Sequence, residues 1–323
     1  MVPPLSMRPV TRMILDCDPG HDDALALMLA LASPELELLG VTTVAGNQSL
    51  AKTTANAIRV LDHLGVAGLP VHAGAQRPLV RRPAFAAQVH GETGLDGSGL
   101  PPAARAAGGA HAIDWIAATV AASPGPVTLV ATGPLTNVAL ALARHPELAD
   151  GLERIVFMGG AIGEGNVTPA AEFNAWADPE ALQRVLTSGV ELTMVGLDVT
   201  LRALLGPAHI ARLERAGSAG RLVTGLYGFS VAHNRASYGR DAVPVHDAVA
   251  VAEVIDPTLL TRRHCGVIAD TGSELGRGRT HVDRWGTMGW EPNCAVAVDI
   301  HADRFLELLV SRICALGQSA PAA

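Results

Sequence analysis

Strand-like and helix-like segments alternate along this chain. Short β-rich runs occupy 12–18, 36–47, 126–133, 154–160 and 190–200, and most lead through a turn into a helix-period segment. SLAKTTANAIRVLDHLG and PLTNVALALARHPEL are two such segments, and proline punctuation at 34, 146, 179 and 257 marks turns and helix starts. Parallel strands need crossover connections, so this alternation predicts an open, mostly parallel sheet with helices on both faces. The expectation is a single α/β domain over 10–316, with 1–9 and 317–323 as flexible termini. GETGLDGSGLPPAARAAGGA (91–110) reads as a long surface loop, and 237–247 as an irregular stretch before a helix.

Composition excludes several classes of function. The 323 residues are 49% apolar and 17% charged, the balance of a globular protein with a large core. The net charge is -7, Lys52 is the sole lysine, and no basic stripe is present, so a nucleic-acid partner is not expected. No apolar run approaches the roughly 20 residues a membrane helix needs, and MVPPLSMRPVTR lacks a signal-peptide core. Cys17, Cys265, Cys294 and Cys314 have neither CxxC nor zinc spacing and read as reduced thiols. A cytoplasmic location is the expectation.

The chemistry concentrates in ILDCDPGHDDALALMLA, which places Asp16, Asp18, Asp22 and Asp23 within one strand-to-helix turn. Carboxylates this close raise one another's pKa and destabilise the fold unless a cation sits among them. A solvated acidic loop with a helix cap is the simpler reading. Against it, the other expected strands end in Asn47, Thr132 and Met158-Gly159-Gly160, and a later helix begins near His246-Asp247. Ligands of open α/β sheets bind beyond those ends. Asp18 and Asp23 can both face such a crevice, and Asp247 can complete the set. An all-oxygen donor set suits a hard cation, with calcium favoured over magnesium and zinc disfavoured.

DCDPGHDD resembles the DxDxGxDD signature of the nucleoside hydrolases, the inosine-uridine preferring group of N-ribohydrolases. VAGN, HGETGLDG, ATGPLTN, MGGAIGEGNVTPAAEFN, DPEA and PVHDAVAVA are similar to that family's blocks and follow its order. The resemblance implies a Ca²⁺-dependent ribonucleoside hydrolase that releases free base and ribose through an oxocarbenium-like transition state, as in purine and pyrimidine salvage. It implies that Asp18, Asp23, the Thr132 carbonyl and Asp247 hold Ca²⁺, with Asp18 also the general base. Asp22, Asn47 and Asn174 would bond the sugar diol, and Asn166 and Glu172 its 5′-hydroxyl. His246 would protonate the leaving base, His90 would line the base pocket, and Met158 would pack near the ribose. Asp16 would orient the turn. A homo-oligomer, dimer or tetramer, follows from the family's habit.

Trp176 stands where the family more often has a smaller or phenolic side chain, and DAVAVA follows His246 where a cysteine is frequent. Within 226–245 the resemblance is weak, and Tyr227, Phe229 and Tyr238 are the candidates to meet a base. GNVTPAAEFN leans toward pyrimidine-preferring members, yet the base preference stays open. His63, His72 and His145 are expected at the surface. Two rivals remain. A phosphohydrolase of the haloacid dehalogenase type also opens with DxDx after a strand, but four carboxylates would repel a phosphate. The other is a non-catalytic calcium- and ribose-binding protein on the same scaffold.

Overall fold

The computed structural model describes residues 9–319. The sheet core is a run of parallel strands: β1 (Thr11–Cys17), β2 (Leu36–Thr43), β3 (Val71–Ala73), β4 (Val127–Ala131), β5 (Leu152–Met158) and β6 (Leu192–Val195). Two strands, β7 (Leu204–Leu205) and β8 (Val243–Pro244), form a separate small ribbon. The main sheet then adds β9 (Leu260–Ala269), β10 (Thr280–Asp283) and β11 (Cys294–Ile300). Its order is β10-β9-β11-β6-β5-β4-β1-β2-β3, with β9 antiparallel to both β11 and β10. An antiparallel margin on a parallel sheet is common in α/β folds.

Side-chain alternation builds two cores, one on each face. Met13, Leu15 and Cys17 of β1 face one side with Val130, Val156 and Met158. Ile14 faces the other with Leu129, Ile155 and Phe157. Helices His21–Leu31, Leu50–His63, Gly217–Tyr238, His246–Ile255 and Ala302–Ser319 pack on the first face. Helices Ala112–Ala122, Thr136–Arg144 and Pro179–Leu186 cover the second. The expected open sheet with helices on both faces is therefore what forms. Among the described residues no helix is long and apolar enough to cross a membrane.

Several local expectations change. The 190–200 run is a strand only to Val195; Gly196 then starts the short helix Leu197–Thr200. The irregular reading of 237–247 is interrupted by β8 at Val243–Pro244, whose pairing with β7 no local pattern announces. His72 is 7% exposed, not at the surface, with its ring stacked on Trp115 at 4.8 Å. The C-terminal helix runs past the expected domain end at 316 to Ser319, while 1–8 and 320–323 of the expected flexible termini lie outside the described residues. All four cysteines are free.

The strand order reverses between β1 and β4, because β2 and β3 lie to one side of β1 and β4 to β6 to the other. Diverging crossovers open a crevice above the carboxyl ends at such a switch point. The acidic turn after β1 stands directly there.

Candidate active site

Register brings the site together. Asp16 lies across from Thr42 on one side and Ala131 on the other. Its Oδ1 accepts from Thr42 Oγ1 at 2.6 Å and from Asn137 Nδ2 at 2.7 Å, fixing the end of β1 under the turn. Asp18 follows, fully buried, and its Oδ2 accepts the Asn47 amide at 2.6 Å. Glycine is required on both sides of it. A Cβ at Gly46 would collide with Asp18 Oδ2, and one at Gly133 would stand 2.7 Å from Oδ1. The glycines of VAGN and ATGP thus make room for one carboxylate.

Asp23 has a structural role of its own. It caps its helix through the Gly20 amide at 2.9 Å, and it accepts from Thr132 Oγ1 at 2.8 Å and Asn47 Nδ2 at 3.1 Å. A helix N-terminus favours such a charge. That accounts for Asp23 but not for its neighbours. Carboxylate oxygens of Asp22, Asp23 and Asp247 lie within 4.8 Å of one another. Asp18 Oδ1 and Asp16 Oδ2 are buried without a hydrogen-bond partner.

Electrostatics show the cost. Burial first, and then Asp23, push Asp18 well above the usual carboxylate range. Every neighbouring charge acting on it, from Asp23, Asp22 and Asp16, is another aspartate. Burial followed by Asp22 does the same to Asp247. Burial raises Asp16 to about 7 against its two hydrogen bonds. Buried charges are normally paired or coordinate a metal. The donor set is all oxygen and fits a hard divalent cation.

Above this floor opens a cavity of about 870 Å³. Asp22, Asn47, His90, Thr132, Met158, Asn166, Glu172, Asn174, His246 and Asp247 all line it, so the chain brings most of the expected site to one space. The Thr132 carbonyl accepts Asn174 Nδ2 at 2.7 Å, and Met158 offers its carbonyl to the same nitrogen at 3.2 Å. Glu172 is the N-cap of Phe173–Ala177 and accepts the amides of Gly160, Asn174 and Ala175. Asn166 Oδ1 takes the Phe173 amide at 2.9 Å.

His246, His90 and His21 also line the cavity. His246 Nδ1 pairs with Thr200 Oγ1 at 2.8 Å, and burial lowers its pKa to about 4. His90 accepts the His21 amide at 3.3 Å, and burial, then His21, lower it to about 3. The motif reading gives His21 no role. It joins Asp96 O at 2.9 Å to Ser230 Oγ at 3.0 Å, linking segments 75 and 209 positions away. No local pattern signals a bridge of that span. Tyr227, Ser230, His233, Asn234 and Arg240 supply the cavity wall from the stretch where the family resemblance is weak. Of the three candidates there, Tyr227 lines the cavity. Phe229 instead packs on the His21 ring at 5.3 Å, and the Tyr238 side chain lies outside the described residues.

The same blocks, now joined in one crevice, are those of a known family. Residues 13–307 match the family described as inosine-uridine preferring nucleoside hydrolase. This chain belongs to that family.

It is 44% identical to the pyrimidine-specific ribonucleoside hydrolase RihB of Escherichia coli, over 92% of this chain and 95% of that protein. Among solved structures it is similar to a purine-preferring ribonucleoside hydrolase from Gardnerella vaginalis, with a TM-score of 0.90 and 33% identity over 95% of this chain and 99% of that one. A plant nucleoside hydrolase matches with a TM-score of 0.88 and 32% identity, covering 94% and 99% of the two chains. As a member of the family, the chain is a ribonucleoside hydrolase, an N-glycosidase.

Proposed function

We propose that this nucleoside hydrolase cleaves the N-glycosidic bond of ribonucleosides with Ca²⁺ at the acidic floor, and that pyrimidine ribonucleosides are its preferred substrates. The observation that carries the metal is the buried aspartate cluster: carboxylate oxygens of Asp22, Asp23 and Asp247 lie within 4.8 Å of one another, and Asp18 Oδ1 is buried without a partner. The 44% identity to a pyrimidine-specific relative supports the base preference.

Asp18, Asp23, Asp247 and the Thr132 carbonyl would hold the ion. When bound, it supplies a counter-charge, acidifies water and orients the ribose diol. Asp18 takes the proton of the attacking water. Asp22, Asn47 and Asn174 bond the 2′- and 3′-hydroxyls, and Asn166 and Glu172 hold the 5′-hydroxyl. As the bond to the base stretches, positive charge grows on the sugar ring, and the anionic floor stabilises this oxocarbenium character. Negative charge grows on the departing base. With Nδ1–H donating to Thr200 Oγ1, a His246 imidazolium that has taken its proton from solvent gives up Nε2–H to the departing base and returns to the neutral imidazole that burial favours. His90 stays neutral and lines the base end.

Incubation with uridine, cytidine and inosine, followed by a free-ribose assay, tests this. Ribose release that EDTA stops and Ca²⁺ restores is expected, with uridine and cytidine ahead of inosine. EDTA-insensitive release would remove the metal, and an inosine preference would remove the pyrimidine assignment. Tight ribose binding without release would instead mean a binding protein on this scaffold.

His246→Ala separates the proton donor from the rest. Turnover of uridine should fall about 10² to 10⁴-fold, the usual worth of a general acid. p-Nitrophenyl riboside, whose leaving group needs no proton, should be nearly unaffected. Equal losses on both substrates would deny His246 the acid role.

A further inference from the structure

The loop that carries Glu164 and Asn166 to the cavity has no regular structure of its own. What holds it is a row of side chains borrowed from elsewhere. Four consecutive amides each donate to one: Gly160 to Glu172 at 2.9 Å, Ala161 to Thr280 at 2.9 Å, and Ile162 and Gly163 to the two oxygens of Asp198 at 2.6 and 3.1 Å. Thr280 Oγ1 also donates to the Ala161 carbonyl at 2.6 Å, and the Gly160 carbonyl accepts the Leu197 amide at 3.0 Å. Gly160 turns the chain with φ +72, a conformation other residues adopt only under strain.

Asp198 is the outermost of these posts, the last before the loop runs out to Asn166. The post itself is fixed. It sits in the short helix Leu197–Thr200, pinned at one end by the Leu197 amide on Gly160 O and at the other by Thr200 Oγ1 on His246. A carboxylate accepting two backbone amides makes strong, charge-assisted bonds. Beyond Gly163 the chain is exposed at Glu164, Asn166 and Val167; Asn166 is tied on its far side by its amide to the Ala171 carbonyl at 3.1 Å and by its Oδ1 to the Phe173 amide at 2.9 Å, and Asp198 is the anchor on the near side.

We propose that Asp198 is a positioning residue for the 5′ end of the ribose: it aims the 164–166 segment so that Asn166 reaches the 5′-hydroxyl. This rests on the reading of Asn166 and Glu172 as the holders of that hydroxyl. Binding energy from a remote hydroxyl is spent on catalysis at the reacting centre, so a misaimed clamp lowers kcat as well as raising KM.

The test compares uridine with 5′-deoxyuridine in the Ca²⁺-loaded wild type, Asp198→Ala and Asp198→Asn. In Asp198→Ala, kcat/KM for uridine should fall about 10-fold or more, while 5′-deoxyuridine, which has no hydroxyl for the clamp, should change less than about 3-fold. Asp198→Asn keeps one acceptor oxygen and should fall between. Equal losses on both substrates, or none, would overturn the proposal. A wild type that does not discriminate the two substrates would instead overturn the clamp itself. Thr280→Val, close to isosteric, removes the neighbouring post at Ala161 and should show the same selective loss. It decides the matter if Asp198→Ala does not fold.

Discussion

Asp18→Ala should abolish turnover and leave the fold intact. The general base alone is typically worth about 10² to 10⁴-fold, and the proposal gives Asp18 a metal-ligand role as well, so a loss at or beyond the top of that range is expected. The stability side is less intuitive. Asp18 is fully buried, with one oxygen unpartnered and its carboxyl pushed far up by burial and Asp23. Removing it from the chelated protein relieves repulsion, so the melting temperature in EDTA should hold or rise. With Ca²⁺ present the variant should gain far less stability than the wild type. Steady-state kinetics and melting with and without chelator check both halves; near-normal kcat would sink the assigned role of Asp18.

Chelation should destabilise the wild type, and more so at higher pH. The site carboxylates have folded pKa values above their unfolded ones: Asp16 and Asp22 at about 7, and Asp18, Asp23 and Asp247 also raised. Burial is the leading cause for each. The folded chelated protein therefore binds protons more tightly than the unfolded chain. That stability is present below the unfolded carboxylate pKa and is lost as pH rises toward about 7 and beyond. Each such group loses about 1.4 kcal/mol for every pH unit between its unfolded and folded values. His21, His90 and His246, all lowered by burial, work in the opposite sense: they lose stability as pH falls. They do so with and without the ion, so the difference between the two melting curves isolates the aspartates. Ca²⁺ should compete with protons for the same oxygens and so bind better at pH 8 than at pH 5.5. At 100 times its Kd a ligand adds about 2.7 kcal/mol, or about 4 °C in Tm for a chain of this size. Calorimetry at the two pH values measures it. An EDTA effect that is absent, or larger at pH 5.5, would show that these aspartates do not share a cation.

Much of this site is legible before folding because its chemistry is local. Asp18, Asp22 and Asp23 stand within one turn, and the motif glycines Gly46 and Gly133 fall in short blocks that end strands. The sheet is legible for the same reason: β1, β2, β4 and β5 are near-continuous apolar runs, the mark of strands buried on both faces. The 190–200 run misleads because apolarity continues unbroken through Gly196, where hydrophobic pattern alone cannot separate a strand from a buried helical turn. His72 misleads because its burial depends on Trp115, 43 positions away and invisible to local pattern.

Sequence by itself determined the strand–helix alternation, the acidic turn, the ordered blocks of the family and hence the reaction class, since each is written in residues close together. Tertiary structure decided what rests on long separations. It placed β9 to β11 at the sheet margin, so that Thr280 reaches Ala161 across 119 positions. It folded His21 between Asp96 and Ser230, and it set Asp198 under the loop that ends at Asn166. These pairings come from strand register and helix packing, which no short window of residues encodes. They govern how firmly the site is held, whereas the chemistry it performs lies in the local motifs.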